Sequence, residues 1–282
     1  MHDSPSRARD QSPPAYEILA PDRQSVPYVY ASPHSGDYYP PEFIAGTAHD
    51  ALGLRRSEDS FVDRLFGGAP RHGAPLLRAL YPRVFVDPNR EPFELDPAMF
   101  EDKLPDFVNT NSARVAVGLG TVPRIVASGA PIYDRKLTFA EARTRIDQVY
   151  VPYHSALRRL VETTVERFGG AVVIDCHSMP SATAKEERGS GQQRADIILG
   201  DRFGASCHAA IVEVAEDILG GLGYRVTRND PYAGGFVARH YGRPGHGIHC
   251  LQIEINRALY MDEARIRPHA GMKTLTAHLD TL

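Results

Sequence analysis

Residues 171–176, Ala-Val-Val-Ile-Asp-Cys, form a short and mostly apolar run. Such a run reads as a strand buried on both faces, which belongs in a parallel sheet covered by helices. The rest of the chain alternates in the same way. Further strands are expected over residues 26–31, 77–86 (interrupted by Pro82), 195–199, 224–227 and 248–255. Ile146, Val149, Tyr153, Leu157, Leu160 and Val161 recur at helical spacing and predict one long helix over 139–167, kinked or split at Pro152. Helices are also expected over 209–219, closed by Gly220-Gly221, and from 261 to the C-terminus, with Pro268 and Gly271 as weak points. This alternation implies an α/β sheet flanked by helices. No repeat or linker divides the chain, so residues 1–15 read as a disordered tail and 16–282 as a single α/β domain.

Composition sets limits on function. Hydrophobic residues make up 42% and charged residues 24%, as in ordinary globular proteins. A formal net charge of −3 leaves no basic footprint for nucleic acid. No apolar run is long enough to predict a membrane span, and the polar first 14 residues lack the apolar stretch of a secretory signal. Cys176, Cys207 and Cys250 are odd in number and unpaired in spacing, which favours a reducing, cytoplasmic setting.

Two expected strands end alike. Residues 26–31 lead through Ser32-Pro33 into His34-Ser35-Gly36, and residues 171–176 lead straight into His177-Ser178. Open α/β sheets build their sites at the carboxyl ends of strands, so the two histidines point to one shared metal centre. A hydrolytic zinc site needs about three protein ligands and an open position for water. Asp37 and the pair Glu58-Asp59 are the candidate third ligands.

Glu254 stands in the apolar strand Leu251-Gln252-Ile253-Glu254-Ile255, with Gln252 on its own face. A buried acid there is costly without a partner or a task. General base beside a metal is such a task, and an ion pair with Arg257 or another arginine is the plain alternative. Asp87-Pro88-Asn89-Arg90 follows a strand, and Arg90 offers a fork for a substrate carboxylate with the Asn89 amide beside it. Arg124 is a second candidate anion binder. Asn229–Phe236 has strong turn chemistry, with two glycines that permit close backbone approach to a ligand. Arg239, His240, His246 and His249 follow it. Residues 88–124 and 178–194 read as long loops, the second as a lid or a plain surface loop.

Taken in order, these pieces resemble the N-formylglutamate amidohydrolase family. The resemblance is carried by Ser32-Pro33-His34-Ser35-Gly36, Asp59 through Val62-Asp63, Val86-Asp87, Asn89-Arg90, Pro152-Tyr153-His154 and Asp175-Cys176-His177-Ser178. It ends with Gly245-His246-Gly247 and Gln252 through Arg257 into Tyr260-Met261-Asp262. The resemblance implies a zinc carboxypeptidase-like fold, a mixed and mostly parallel sheet with helices on both faces. It implies zinc held by His34, His177 and, first among the acids, Asp59. It further implies Glu254 as general base and Asn89-Arg90 as the substrate grip. The implied reaction is zinc-dependent hydrolysis of N-formyl-L-glutamate to formate and glutamate, within histidine catabolism. Glu58-Asp59-Ser60-Phe61 departs from the Thr-Asp-Trp of members nearer to that pathway, which points to another N-acyl amino acid or small amide as the alternative substrate.

Two rival readings remain. In the first, Cys176 is a nucleophile with His177 or His154 as base, although neighbours on a strand face opposite ways. In the second, the chain is a binding module with a structural zinc, against which the scattered cysteines count.

Overall fold

The computed structural model describes residues 12–182 and 195–282. Its strands are β1 (Tyr16–Leu19), β2 (Tyr28–Ser32), β3 (Leu76–Ala79), β4 (Ala171–Met179), β5 (Ile197–Gly200), β6 (Val226–Arg228), β7 (Ile248–Asn256), β8 (Met261–Asp262) and β9 (Arg267–Pro268). Short helices α1 (Pro41–Ala45), α2 (Ala51–Arg55), α3 (Val62–Leu65) and α4 (Ala113–Ala116) punctuate the first half. The second half holds α5 (Phe139–Arg145), α6 (Val151–Phe168), α7 (Ala209–Gly221), α8 (Phe236–Tyr241) and α9 (Gly271–Leu279).

The main sheet has seven strands in the order β1-β3-β2-β4-β7-β5-β6. Pairing is parallel at β3–β2, β2–β4, β4–β7 and β5–β6, and antiparallel at β1–β3 and β7–β5. The expected mixed, mostly parallel sheet is therefore present, and helices cover both its faces. Val172, Ile174 and Cys176 of β4 pack with Leu251, Ile253 and Ile255 of β7 against α3, α7 and α9. Ala171, Val173 and Cys250 face the other way, against Tyr153, Ala156 and Leu157 of α6 and Val237 and Ala238 of α8. Each face alternates along the strands, so the second face continues toward the carboxyl ends as Asp175 and His177 on β4 and Gln252 and Glu254 on β7. There the apolar layer gives way to polar side chains.

Several elements differ from expectation for identifiable reasons. The helix over 139–167 runs on through Pro152, because residues Ile146–Tyr150 take a π-helical turn just before it. The wider turn accommodates a ring that removes one hydrogen bond and crowds the preceding carbonyls. The strand expected over 77–86 stops at Ala79, and Tyr81–Val86 forms turns that carry the chain over the strand ends. Residues after 261 first make the β8–β9 hairpin, and helix begins only at Gly271. Edge strand β1 is too half-buried to show in periodicity. Residues 178 and 179 of the expected second loop belong to β4, and its residues 183–194 lie outside the described residues. Of the tail expected over 1–15, residues 1–11 lie outside them as well, while Ala15 is buried and its carbonyl accepts from Leu80 N.

Candidate active site

Parallel strands β2, β4 and β7 lie side by side in the sheet, and their carboxyl ends open on the same edge. His34 follows β2, His177 lies near the end of β4, and Glu254 is its register partner on β7. Asp59 is brought in by the turn before α3, where its backbone N–H donates to the His34 carbonyl at 3.0 Å.

Both histidines aim Nδ1 at the same carboxylate oxygen. Asp59 Oδ2 lies 3.3 Å from His34 Nδ1 and 3.0 Å from His177 Nδ1. The three donor atoms fall within 4.8 Å of one another and all three residues are buried. Behind them, His34 Nε2 lies 2.7 Å from Asp87 Oδ1, and His177 Nε2 lies 3.0 Å from Asp175 Oδ1. The Asn89 amide also reaches His177 Nε2, at 3.0 Å, so both rings are held at Nε2 with Nδ1 turned inward to Asp59. A histidine held in this way by a carboxylate is the usual outer support of a metal ligand. Arg257 secures the third ligand, donating from Nη2 to Asp59 Oδ1 at 3.0 Å.

The competing third ligands are placed elsewhere. Glu58 turns away, accepting from the Tyr39 hydroxyl, Arg55 and the Ser60 hydroxyl. Asp37 is exposed in a separate cleft beside Glu58. His34, Asp59 and His177 thus form a group that fits a divalent cation in donor type, convergence and outer support.

Electrostatics follow from burial and pairing. Burial opposes ionisation of Asp59, but hydrogen bonds from His177 and His34 hold its carboxyl well below the usual range. Asp87 is likewise held down against burial, by Arg83, Arg90 and His34. Burial disfavours a charged His177, yet the carboxylates of Asp175, Asp59 and Glu254 raise its proton affinity. Among the described residues, no cation pairs with Glu254 in the same way. Burial, opposed by His177, pushes its carboxyl up to about 7. Its neighbour is Gln252, whose Nε2 donates to Glu254 Oε1 at 2.9 Å while its Oε1 accepts from Gly235 N at 2.7 Å. The ion pair of Glu254 with Arg257 considered from sequence is thus not formed; Arg257 serves Asp59.

Above these groups lies a cavity of about 310 Å³. Asp59, Asp87 and Glu254 line it together with Arg83, Arg90, Arg114 and Arg257. Arg90 faces it with Nε and Nη1 committed to the carbonyls of Leu119 and Asn89. Asn89 sits behind the site: its Oδ1 accepts from Val237 N at 2.7 Å and its amide lies 3.3 Å from Asp175 Oδ2. Arg124 is not brought in; Pro123 and Ile125 line the cavity, while Arg124 turns out to Asp96 at 2.6 Å.

Gly235 earns its place by proximity to Asn89, since a Cβ there would lie 2.6 Å from the Asn89 amide. The close approach expected of this turn is therefore to another side chain. His154 supports the same loop, with Nε2 2.7 Å from the Pro88 carbonyl, and burial pushes its pKa down to about 4. Arg239 pairs with Glu91, and His246 and His249 sit where β7 begins, away from the centre. Cys176 is fully buried on the opposite face from His177, with its thiol pushed up by burial, so the thiol mechanism has no geometry.

Sequence reasoning missed Arg83, which donates to Asp87 Oδ2 at 2.7 Å, and Arg114. Arg83 stands four residues before Asp87 in a turn rather than the expected strand, and that spacing was its only signal.

Comparison with known proteins gives a consistent result. The profile of the N-formylglutamate amidohydrolase family matches residues 26–261. An N-formylglutamate deformylase of Pseudomonas aeruginosa is 30% identical over 250 residues, covering 88% of this chain and 86% of that protein. An N-formylglutamate deformylase of Pseudomonas putida is 28% identical over the same share. The crystal structure of an N-formylglutamate amidohydrolase from Ralstonia eutropha JMP134 is similar at a TM-score of 0.89 and 40% identity, covering 95% of each chain.

Proposed function

The chain belongs to the N-formylglutamate amidohydrolase family, and on that premise we propose that it hydrolyses N-formyl-L-glutamate to formate and glutamate with zinc held by His34, Asp59 and His177. The observation that carries this reading is the convergence of three buried donors, two of them histidines backed by carboxylates, beside an acid of raised proton affinity.

Zinc bound there supplies Lewis acidity and brings the pKa of a water toward neutrality. Glu254 takes a proton from the attacking water as its oxygen adds to the formyl carbon. An acid poised near 7 is suited to accept that proton and to give it up again. The Arg83 guanidinium, which lines the cavity beside Asp59 and Glu254, donates to the developing oxyanion. Glu254 then protonates the amide nitrogen, the C–N bond breaks, and formate and the free amine leave. Arg90 holds the α-carboxylate and so orients the amide. Asn89 acts from behind, fixing Asp175 and the α8 turn rather than touching substrate.

We further assign residues 16–282 to one domain acting on a small N-acyl amino acid, in the breakdown of histidine. Among the described residues no helix is long and apolar enough to cross a membrane. Cys176, Cys207 and Cys250 are buried free thiols, which supports a cytoplasmic setting.

The test is metal content and formate release for wild type and Glu254→Gln side by side. Zinc near one per chain is expected in both, with turnover of the variant reduced by about 10²–10⁴. Formate release by the variant at the wild-type rate, or no metal bound after zinc is supplied, overturns the mechanism.

A further inference from the structure

The four guanidiniums of the cavity are not equivalent. Arg257 is spent on Asp59, the Ser178 hydroxyl and the Arg56 carbonyl. Arg83 is paired with Asp87. Arg90 keeps only Nη2 toward the cavity, 3.7 Å from Asp87. Arg114 is exposed at the rim, and among the described residues no carboxylate pairs with it. A cation placed in a cavity without an acid of its own is arranged for an anion that comes from outside.

Its placement is built rather than incidental. The Ser112 hydroxyl caps α4 by accepting from Val115 N at 3.0 Å. Leu119 N then donates to the Arg114 carbonyl at 2.8 Å, and the Leu119 carbonyl accepts from Arg90 Nε at 2.9 Å. One stretch of main chain therefore holds a deep arginine and a rim arginine in fixed relation. Leu119, Pro123, Ile125 and Val84 line the same cavity and offer an apolar surface to methylene groups.

We propose that Arg114 binds the side-chain carboxylate of the substrate and sets the preference for an acidic N-acyl amino acid. This assignment rests on the deformylase reading. With the amide at the floor beside Glu254, the α-carboxylate is one carbon away and falls to buried Arg90. The side-chain carboxylate lies two methylenes further out, past the apolar wall, and falls to Arg114. A second cation at that depth distinguishes glutamate from glutamine, whose amide is a weaker partner for a guanidinium.

The experiment compares N-formyl-L-glutamate with N-formyl-L-glutamine on the zinc-loaded wild type, Arg114→Gln and Arg114→Lys. Wild type is expected to favour the acid. Arg114→Gln should lower kcat/KM for the acid relative to the amide by about 10- to 100-fold, the range of one charge-assisted hydrogen bond. Arg114→Lys should keep most of the preference, and raised salt should erode it in wild type more than in Arg114→Gln. Equal loss on both substrates, no change in their ratio, or a wild type indifferent between them overturns the role of Arg114. Formate release from neither substrate by wild type instead overturns the deformylase reading and takes this assignment with it.

Discussion

Glu254 makes the folded protein less stable than a neutral residue would. Its carboxyl is buried, and in the metal-free site its pKa stands at about 7 against an ordinary 4.5. Below 4.5 the carboxyl is protonated in the folded and unfolded chain alike, so the stability associated with its raised affinity is fully present. Between 4.5 and about 7 the unfolded chain releases a proton that the folded chain keeps, and that stability is lost as pH rises. The loss is on the order of 3 kcal/mol. Glu254→Gln keeps the shape and removes the charge. Metal-free Glu254→Gln is therefore expected to be more stable than metal-free wild type at pH 8, with the gap closing toward pH 4.5. Urea melts of the chelated proteins at both pH values measure it, and a gap independent of pH would refute burial as the cause. Asp59 and Asp87 titrate in the opposite sense and are present in both proteins. Glu254 was legible in the sequence because an acid in an apolar strand breaks a local rule. Arg83 was not, because an arginine in a turn breaks none, and its tie to Asp87 exists only once the turn has formed.

The strands and loops show the same division. Apolar runs revealed β2, β4 and β7, and the histidines that close two of them marked the edge where the site lies. What the runs did not reveal was how the loops pass each other. Gly36, two residues after His34, crosses the exit of β3 so closely that a Cβ would lie 2.2 Å from the Tyr81 carbonyl oxygen. The obstacle is backbone and cannot swing aside. This crossing sets the loop that bears His34 against the loop that bears Arg83 and Asp87. Gly36→Ala is expected to cost about 1–3 kcal/mol, as overpacking does, and to weaken zinc binding by displacing His34 from Asp87. Thermal melts and a zinc titration check both effects. Full stability with unchanged zinc affinity would mean that the two loops are not pressed together. The π-turn ahead of Pro152 belongs to the same class, since sequence marks the proline as a break and tertiary packing carries the helix through it.

At the scale of the whole molecule, the metal site is a cross-link. His34 and Asp59 are 25 residues apart, and Asp59 and His177 are 118 apart, so the ligands meet only when β2, α3 and β4 are all in place. The carboxylates of Asp59, Asp87, Asp175 and Glu254 are gathered there with the guanidiniums of Arg83, Arg90, Arg114 and Arg257. A divalent cation binds only the folded arrangement, since the unfolded chain scatters its ligands. Binding of that kind stabilises the fold by RT ln(1 + [M]/Kd), about 4 kcal/mol when free metal is a thousandfold above Kd. Chelation is therefore expected to lower the Tm of wild type by several degrees, and zinc to restore it. His177→Ala should melt at one temperature with or without zinc, because the two remaining ligands do not close a site. Dialysed protein melted with chelator, with zinc and with magnesium in parallel separates a specific site from general charge screening. Magnesium prefers oxygen donors and six-fold coordination and should have little effect where two imidazoles do the binding. Equal stabilisation of wild type and His177→Ala by zinc would place the metal elsewhere and remove His34, Asp59 and His177 from the reaction.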